Sequence, residues 1–258
     1  DKGLVYSDHP NCANVEQEQA VNLIKATLQG ARKKPLVLTA DRGRGKTTAL
    51  AIACDELISE TTEVITIVIT APHRQAVNVF FKQLQNLSPD YKLRGNITEI
   101  GQHQILFMPV DQLLNNLPKV NLVLVDEAAG IPVYLLNKLI RSYHRTVFSS
   151  TVHGYEGAGR GFTQKFLKTL ANHFPKYKTL HLAQPIRWAS NDPLELLMFD
   201  TCLLNAELAP VSENVSFSRK DFIANYQSET QRISQQDLLA DESLLRQVFS
   251  VLVAAHYQ

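Results

Sequence analysis

Apolar positions 15, 20, 21, 24 and 28 fall on roughly one helical face between Val15 and Leu28. Pro35 to Thr39 is a short apolar run ended by a polar, glycine-bearing turn, and reads as a buried strand. Thr47 to Ile58 is helical in pattern. Val64 to Thr70 (VITIVIT) is β-branched throughout, as a strand buried on both faces should be. A helix over His73 to Leu87, a strand over Gln104 to Met108 and a short helix over Val110 to Leu117 follow. Asn121 to Val125 (NLVLV) is the next apolar strand, ended by Asp126-Glu127, and Pro132 suits the first turn of a helix running to Ser142. Thr146 to Ser150 reads as a strand, Phe162 to His173 as a helix and Thr179 to Leu182 as a strand. Strand and helix alternate at this spacing, which predicts an α/β fold with a doubly wound, mostly parallel sheet. Pro193 to Asn205 and Asp237 to Tyr257 are helical, joined by a polar, serine-rich stretch over 212–234.

A length of 258 residues allows one large domain or one and a half. With 45% apolar and 20% charged residues, disorder is excluded as the dominant state. The net charge of +1 hides a segregation. Residues 128–191 carry nine basic side chains against Glu156 alone, whereas residues 192–258 carry ten acids against Arg219, Lys220, Arg232 and Arg246. The switch near residue 190 predicts a boundary, with one domain over 1–190 and a mainly helical segment over 191–258. The basic stretch either attracts phosphates or forms solvated helix faces. Cys12, Cys54 and Cys202 are widely spaced, against a disulfide scaffold or a cysteine-rich zinc site and in keeping with a reducing, cytoplasmic setting. No apolar run approaches the ~18 residues of a membrane span, so no membrane partner is expected. The chain opens on Asp1 and closes on an uncapped helical pattern, which reads as a piece of a longer protein.

Ala40-Asp41-Arg42-Gly43-Arg44-Gly45-Lys46-Thr47 lies between the first strand and the helix that follows it. It matches GxxxxGK(S/T) with Ala40 in place of the first glycine. In that setting the backbone N–H groups from Gly43 to Thr48 can wrap a β-phosphate, helped by the positive end of the helix over Thr47 to Ile58. Gly45 permits close backbone approach, Lys46 reaches the β- and γ-phosphates, and the Thr47 hydroxyl ligates Mg²⁺. Arg42 and Arg44 add positive charge, and residues Ala40 to Ala49, Thr48 included, are the expected nucleotide contacts. As a bare string the motif could be an accidental glycine-rich turn; its strand–loop–helix context argues otherwise.

Asp126-Glu127 ends an apolar strand 80 residues beyond Lys46. Carboxylates at the carboxyl end of a strand face the ligand crevice of such a sheet. Asp126 is placed to hold Mg²⁺, and Glu127 to orient or deprotonate an attacking water. Alone, the pair could be two solvated acids at a strand edge. Behind a phosphate loop, in this order, it points to hydrolysis.

ADRGRGKTTAL (40–50), VDEAAGIP (125–132), FSSTVHGYEGAGRGF (148–162) and QPIRW (184–188) together resemble the ATPase/helicase-like module of the tRNA(Met) cytidine acetyltransferase family. The similarity covers roughly residues 14–190, and implies a RecA-like P-loop NTPase using ATP or GTP with Mg²⁺. For the parent protein it implies an acetyl-CoA-dependent acetyltransferase domain and an RNA-binding tail, which make N4-acetylcytidine at the wobble position of elongator tRNA(Met). No glycine pattern of the kind that binds acetyl-CoA occurs here, so acetyl transfer lies outside this chain. Gln17 is placed where related helicases carry an adenine-binding glutamine, with Gln19 as the alternative. The resemblance favours Arg160 as the γ-phosphate arginine, while Arg187 either shares that role, holds the sheet edge or meets RNA. Ser149, Ser150 and Thr151 sit where a hydroxyl would sense the γ-phosphate, with His153 beside them. Thr70-Ala71-Pro72-His73-Arg74 resembles a nucleic-acid-contacting helicase motif. The leading expectation is an NTPase switch that handles RNA rather than a processive unwinding motor. A RecD-like DNA helicase or translocase fragment, or a non-catalytic nucleotide-sensing RNA-binding module, are the alternatives. A P-loop kinase is least favoured, because Glu127 suits water as nucleophile.

Overall fold

The computed structural model describes residues 5–30, 33–152, 162–204 and 232–256. They fall into two compact units, Asp1–Pro193 and Leu194–Gln258.

The first unit is built on an eight-stranded sheet of order β3-β4-β5-β2-β6-β7-β1-β8. Its strands are β1 (Leu36–Ala40), β2 (Thr66–Thr70), β3 (Lys92–Arg94), β4 (Ile97–Ile100), β5 (His103–Phe107), β6 (Leu122–Val125), β7 (Thr146–Thr151) and β8 (Lys178–Leu182). The pairs from β5 through β2, β6, β7 and β1 to β8 are all parallel. Alternate side chains along each strand enter opposite cores, as a period of two requires. Leu36, Leu38, Ile67, Ile69, Leu122, Leu124 and Val147 pack with α1 (Val15–Gln29), α2 (Lys46–Glu60) and α3 (Asn78–Leu87) on one face. Val37, Val68, Val123, Val125 and Phe148 pack on the other with α4 (Val110–Asn116), α5 (Val133–Ser142) and α6 (Leu167–His173). The doubly wound, mostly parallel α/β sheet expected from the sequence is the fold observed.

The alternation rule passed over β3 and β4, which run antiparallel to each other, and β4 runs antiparallel to β5. They are short, β3 is exposed, and no apolar run marks them. Their signals are two glycines in tight two-residue turns, Gly95 (φ +63°) and Gly101 (φ +56°), a backbone region that L side chains resist. The helix expected from His73 begins instead as a 3₁₀ turn over Arg74–Val77 before α3, and Phe162–Phe166 forms a π-type turn ahead of α6. Pro132 stands one residue before α5, at its N-cap.

The second unit contains α7 (Pro193–Thr201), α8 (Gln235–Ala240) and α9 (Glu242–His256). The single helix expected over 237–257 is broken at Asp241, whose carboxylate accepts from the Leu244 N–H at 3.0 Å and so caps α9. Ser234 and Asp237 form a reciprocal capping box at the start of α8. The serine-rich connection lies almost wholly outside the described residues. Among the described residues no helix is long and apolar enough to cross a membrane.

Candidate nucleotide site

The strand order explains how the two motifs meet. β7 lies between β1, which leads into the glycine loop, and β6, which ends in the acidic pair. The carboxyl ends of three neighbouring parallel strands therefore deliver Lys46 and Thr47, Thr151, and Asp126 with Glu127 to one crevice. Adjacent strands are ~4.8 Å apart, so β1 and β6 lie about 10 Å apart, with the Thr151 side chain on β7 able to bridge what they carry.

It does so. Lys46 is buried, and its ammonium donates to Thr151 Oγ1 at 3.1 Å and to the carbonyls of Asp41 and Ala40 at 3.3 and 3.4 Å. Thr151 Oγ1 donates in turn to Glu127 Oε2 at 3.1 Å. Beside this chain of contacts the Thr47 hydroxyl donates to Asp126 Oδ2 at 2.7 Å. Of the three hydroxyls expected as sensors, Thr151 is the one joined to both motifs. Among the described residues the Ser150 hydroxyl donates to the Thr151 carbonyl alone, and Ser149 is buried.

The electrostatics follow from burial. Asp126 is fully buried and its pKa is pushed up to about 6, first by desolvation and then by the neighbouring Glu127 carboxylate. The Thr47 hydroxyl opposes that rise, as does the nearby Ser149 hydroxyl, although Ser149 Oγ falls short of hydrogen-bond geometry. Burial also lowers the pKa of Lys46, against the pull of Glu127, Asp126 and Asp41. A desolvated carboxylate held by a threonine hydroxyl suits Mg²⁺, which is bound by few protein oxygens and completes its shell with phosphate and water. Thr47 and Asp126 are the residues that would hold the ion.

The loop has the backbone of a phosphate cradle. Gly43 (φ +82°) and Gly45 (φ +78°) are both left-handed, and Gly45 caps the start of α2. Glu127 also has a left-handed backbone (φ +46°, ψ +46°), uncommon for a residue with a Cβ, and its N–H donates to Asp126 Oδ1 at 3.0 Å.

Several contacts that support the loop were not legible in the motif. Gln17 is buried on α1. Its amide nitrogen donates to the Gly45 carbonyl at 3.1 Å, and its amide oxygen accepts from the Ala13 N–H at 2.8 Å. This places Gln17, rather than Gln19, against the loop. On the other side, Ile186 and Arg187 donate their N–H groups to the Gly43 carbonyl at 3.0 and 3.2 Å. A Cβ on Gly43 would lie 2.9 Å from Trp188 Cη2, so the indole packs directly on the loop. Arg44 is buried, donating to the Ala183 carbonyl at 3.2 Å and the Arg42 carbonyl at 2.9 Å, with Trp188 beneath its guanidinium. Arg44 thus pins the loop to residues 183–188, while Arg42 is exposed. Glu16 completes the support by accepting the Ala183 and Gln184 N–H groups at 2.7 and 2.8 Å. QPIRW stood out in the sequence, but no local signal links Glu16 to a backbone more than 160 residues away.

Arg160, His153 and the GYEGAGRG loop lie outside the described residues. Arg187 is exposed beside the loop. Arg74 is taken up by Phe81, at 4.4 Å from the ring centroid, and by Asn78 and Asn96. Cys12 and Cys54 are buried, which pushes both thiols up, Cys12 to about 12, so neither supplies a nucleophile.

A family model described as RNA cytidine acetyltransferase NAT10/TcmA, helicase domain, matches residues 37–205. A Vibrio cholerae protein named tRNA(Met) cytidine acetyltransferase TmcA is 43% identical over 249 residues, covering 94% of this chain and 33% of its own length. The protein of that name from Nitrosococcus halophilus is 39% identical over 247 residues, covering 96% and 32%. The chain spans about a third of the length of these relatives. Among solved structures, the large terminase of a thermophilic bacteriophage in complex with ATP-gamma-S superposes with a TM-score of 0.51 at 10% identity, over 72% of this chain and 48% of that one. That likeness is one of fold, the mostly parallel sheet of a P-loop ATPase.

Proposed function

The chain belongs to the family described as RNA cytidine acetyltransferase NAT10/TcmA, helicase domain, and from that premise we propose that it is an Mg²⁺-dependent NTPase module. Its hydrolysis of ATP or GTP drives RNA handling for N4-acetylation of cytidine in tRNA(Met). Acetyl transfer from acetyl-CoA would fall to parts of the protein beyond this chain.

One observation carries the reading: the unbroken contact Lys46–Thr151–Glu127 beside the Thr47–Asp126 pair, at three adjacent strand ends. Residues Ala40 to Ala49 would enclose the triphosphate, with the amides of Gly43 to Thr48 on its oxygens. Lys46 now spends its three protons on two carbonyls and a hydroxyl. A γ-phosphate is a stronger acceptor than any of these, so the ammonium would turn to it. Thr151 would then report that shift to Glu127, whose carboxylate orients the attacking water and receives its proton. Bound Mg²⁺ would supply charge neutralisation on the phosphates. Arg160, by resemblance, would stabilise charge on the transferred phosphoryl group.

Gln17 would connect base recognition to the loop, since its amide already holds the Gly45 carbonyl. RNA is favoured over DNA as the nucleic acid, a reading supported by the relatives' names.

The test is Glu127→Gln, with nucleotide affinity and steady-state turnover measured with and without tRNA(Met). Nucleotide should still bind while turnover falls by about 10²–10⁴, the span of a lost general base. Unchanged turnover would reject Glu127 as that base.

A further inference from the structure

The phosphate loop occupies one end of the parallel strands, and the opposite end has a character of its own. The residues entering β6, β7, β1 and β8 are Lys119, then His144 and Arg145, then Lys33 and Lys34, then Lys176 and Lys178. These four strands are consecutive neighbours in the sheet. Register aligns the entries: Leu36 pairs with Val147 and with Lys178, so Lys34 stands level with Arg145 and Lys176 two residues earlier. Backbone bonds hold them there, from Lys33 N–H to the His144 carbonyl, from Lys178 N–H to the Pro35 carbonyl and from Val123 N–H to the Arg145 carbonyl.

Lys33, Lys34, Lys119, His144, Lys176 and Lys178 are exposed. No ion pair forms at any of these positions among the described residues. No acid occurs in the four entering segments, 117–121, 142–146, 33–35 and 174–178. The strip ends at β2, which is entered past Glu63. Between Lys119 and Arg145 the surface dips into a cavity of about 380 Å³ lined by Asn121 and Tyr143 among others. Arg145 lines this cavity, and its buried Nε has no hydrogen-bond partner among the described residues. A buried guanidinium N–H without an acceptor is costly, and an oxyanion in the cavity would satisfy it.

We infer that this strip is a second, nucleotide-independent binding site whose ligand is the phosphodiester backbone of RNA, with Lys119, Arg145, Lys34 and Lys176, in that order along the strip, each meeting a phosphate. The dimensions fit. Four strands ~4.8 Å apart span roughly 14 Å, room for a short run of phosphates along one RNA strand. A row of point charges without an aromatic platform reads backbone and not base, so binding is independent of sequence. The choice of RNA among polyanions rests on the RNA-handling role proposed above. The strip faces away from the nucleotide crevice, so RNA held there is positioned without entering it.

The experiment measures tRNA(Met) affinity across a salt series for the chain and for Lys34→Gln/Lys119→Gln/Lys176→Gln. Loss of three phosphate contacts should flatten the slope of log K against log salt by about 2, at ~0.7 per contact, and weaken binding about a hundredfold near 0.1 M salt. Arg145→Gln alone should remove about one further contact. Affinity for ATP should be unchanged in the triple variant, which also shows that it folds, and lysine-to-arginine replacement at the same positions should retain RNA binding. An unchanged slope overturns the inference. So does failure of the parent chain to bind RNA. Displacement of RNA by millimolar inorganic phosphate at constant ionic strength would assign the strip to free phosphate, and overturns it too. The nucleotide reading is judged separately, because Lys46→Ala should abolish ATP binding and leave the salt slope intact.

Discussion

Asp126→Asn should make the nucleotide-free chain more stable. Asp126 is fully buried, and its pKa is pushed from 3.8 to about 6 by desolvation first and the Glu127 charge second. The folded state therefore holds this proton more tightly than the unfolded chain does. Below about pH 4 both states are protonated and the residue is neutral in its effect. As pH rises from about 4 to about 6 the unfolded chain ionises freely while the folded chain resists, so stability falls, and the full penalty persists above that window. Two pKa units at 1.36 kcal/mol each give about 3 kcal/mol. Asparagine keeps both local contacts: its amide oxygen can accept the Glu127 N–H, and its amide nitrogen can donate to Thr47 Oγ1. Urea unfolding of both proteins across this pH range is the assay. The variant should match the parent near pH 4 and exceed it by about 1–3 kcal/mol near pH 8, while losing affinity for Mg²⁺-ATP. A variant less stable near pH 8, or a difference that does not vary with pH, would refute the reasoning.

Other substitutions probe the supports of the loop. Gly43→Ala puts a Cβ on a left-handed backbone and 2.9 Å from the Trp188 ring, and should cost about 1–2 kcal/mol for the backbone alone; thermal unfolding reads it, and adding Trp188→Ala should relieve only the steric part. Gln17→Ala strands the Ala13 N–H and the Gly45 carbonyl, so it should cost about 1–3 kcal/mol and raise the Kd for nucleotide. A melting temperature equal to the parent's would show that the Gln17 bridge holds nothing. Thr151→Val keeps the shape but breaks the link from Lys46 to Glu127; single-turnover kinetics should show hydrolysis roughly tenfold slower or more with nucleotide affinity nearly intact.

What was legible in the sequence is what depends on neighbours along the chain. The apolar runs before Ala40 and Asp126 mark β1 and β6, and the glycine loop between strand and helix marks the start of α2 without reference to any tertiary contact. Thr151 could be shortlisted with Ser149 and Ser150 but not chosen, because the choice depends on β7 inserting between β1 and β6. The packing of Trp188 on Gly43 and the reach of Glu16 to Ala183 and Gln184 are contacts across the fold with no periodicity to betray them. β3 and β4 escaped because strands of three and four residues carry little hydrophobic pattern, and β3 is exposed throughout. Gly95 and Gly101 were their legible trace. The contacts of Arg74 with Phe81, Asn78 and Asn96 likewise cross the fold and leave no trace in the 70–74 motif.

Calorimetric titration of the chain and of Lys46→Ala with ATP and Mg²⁺ tests the central claim, that the 40–49 loop and the acids of β6 form one triphosphate site. The parent should bind at a single site per chain, and the variant should lose that binding by at least tenfold, the worth of one charge-assisted contact. Equal affinity in the two proteins would contradict the account.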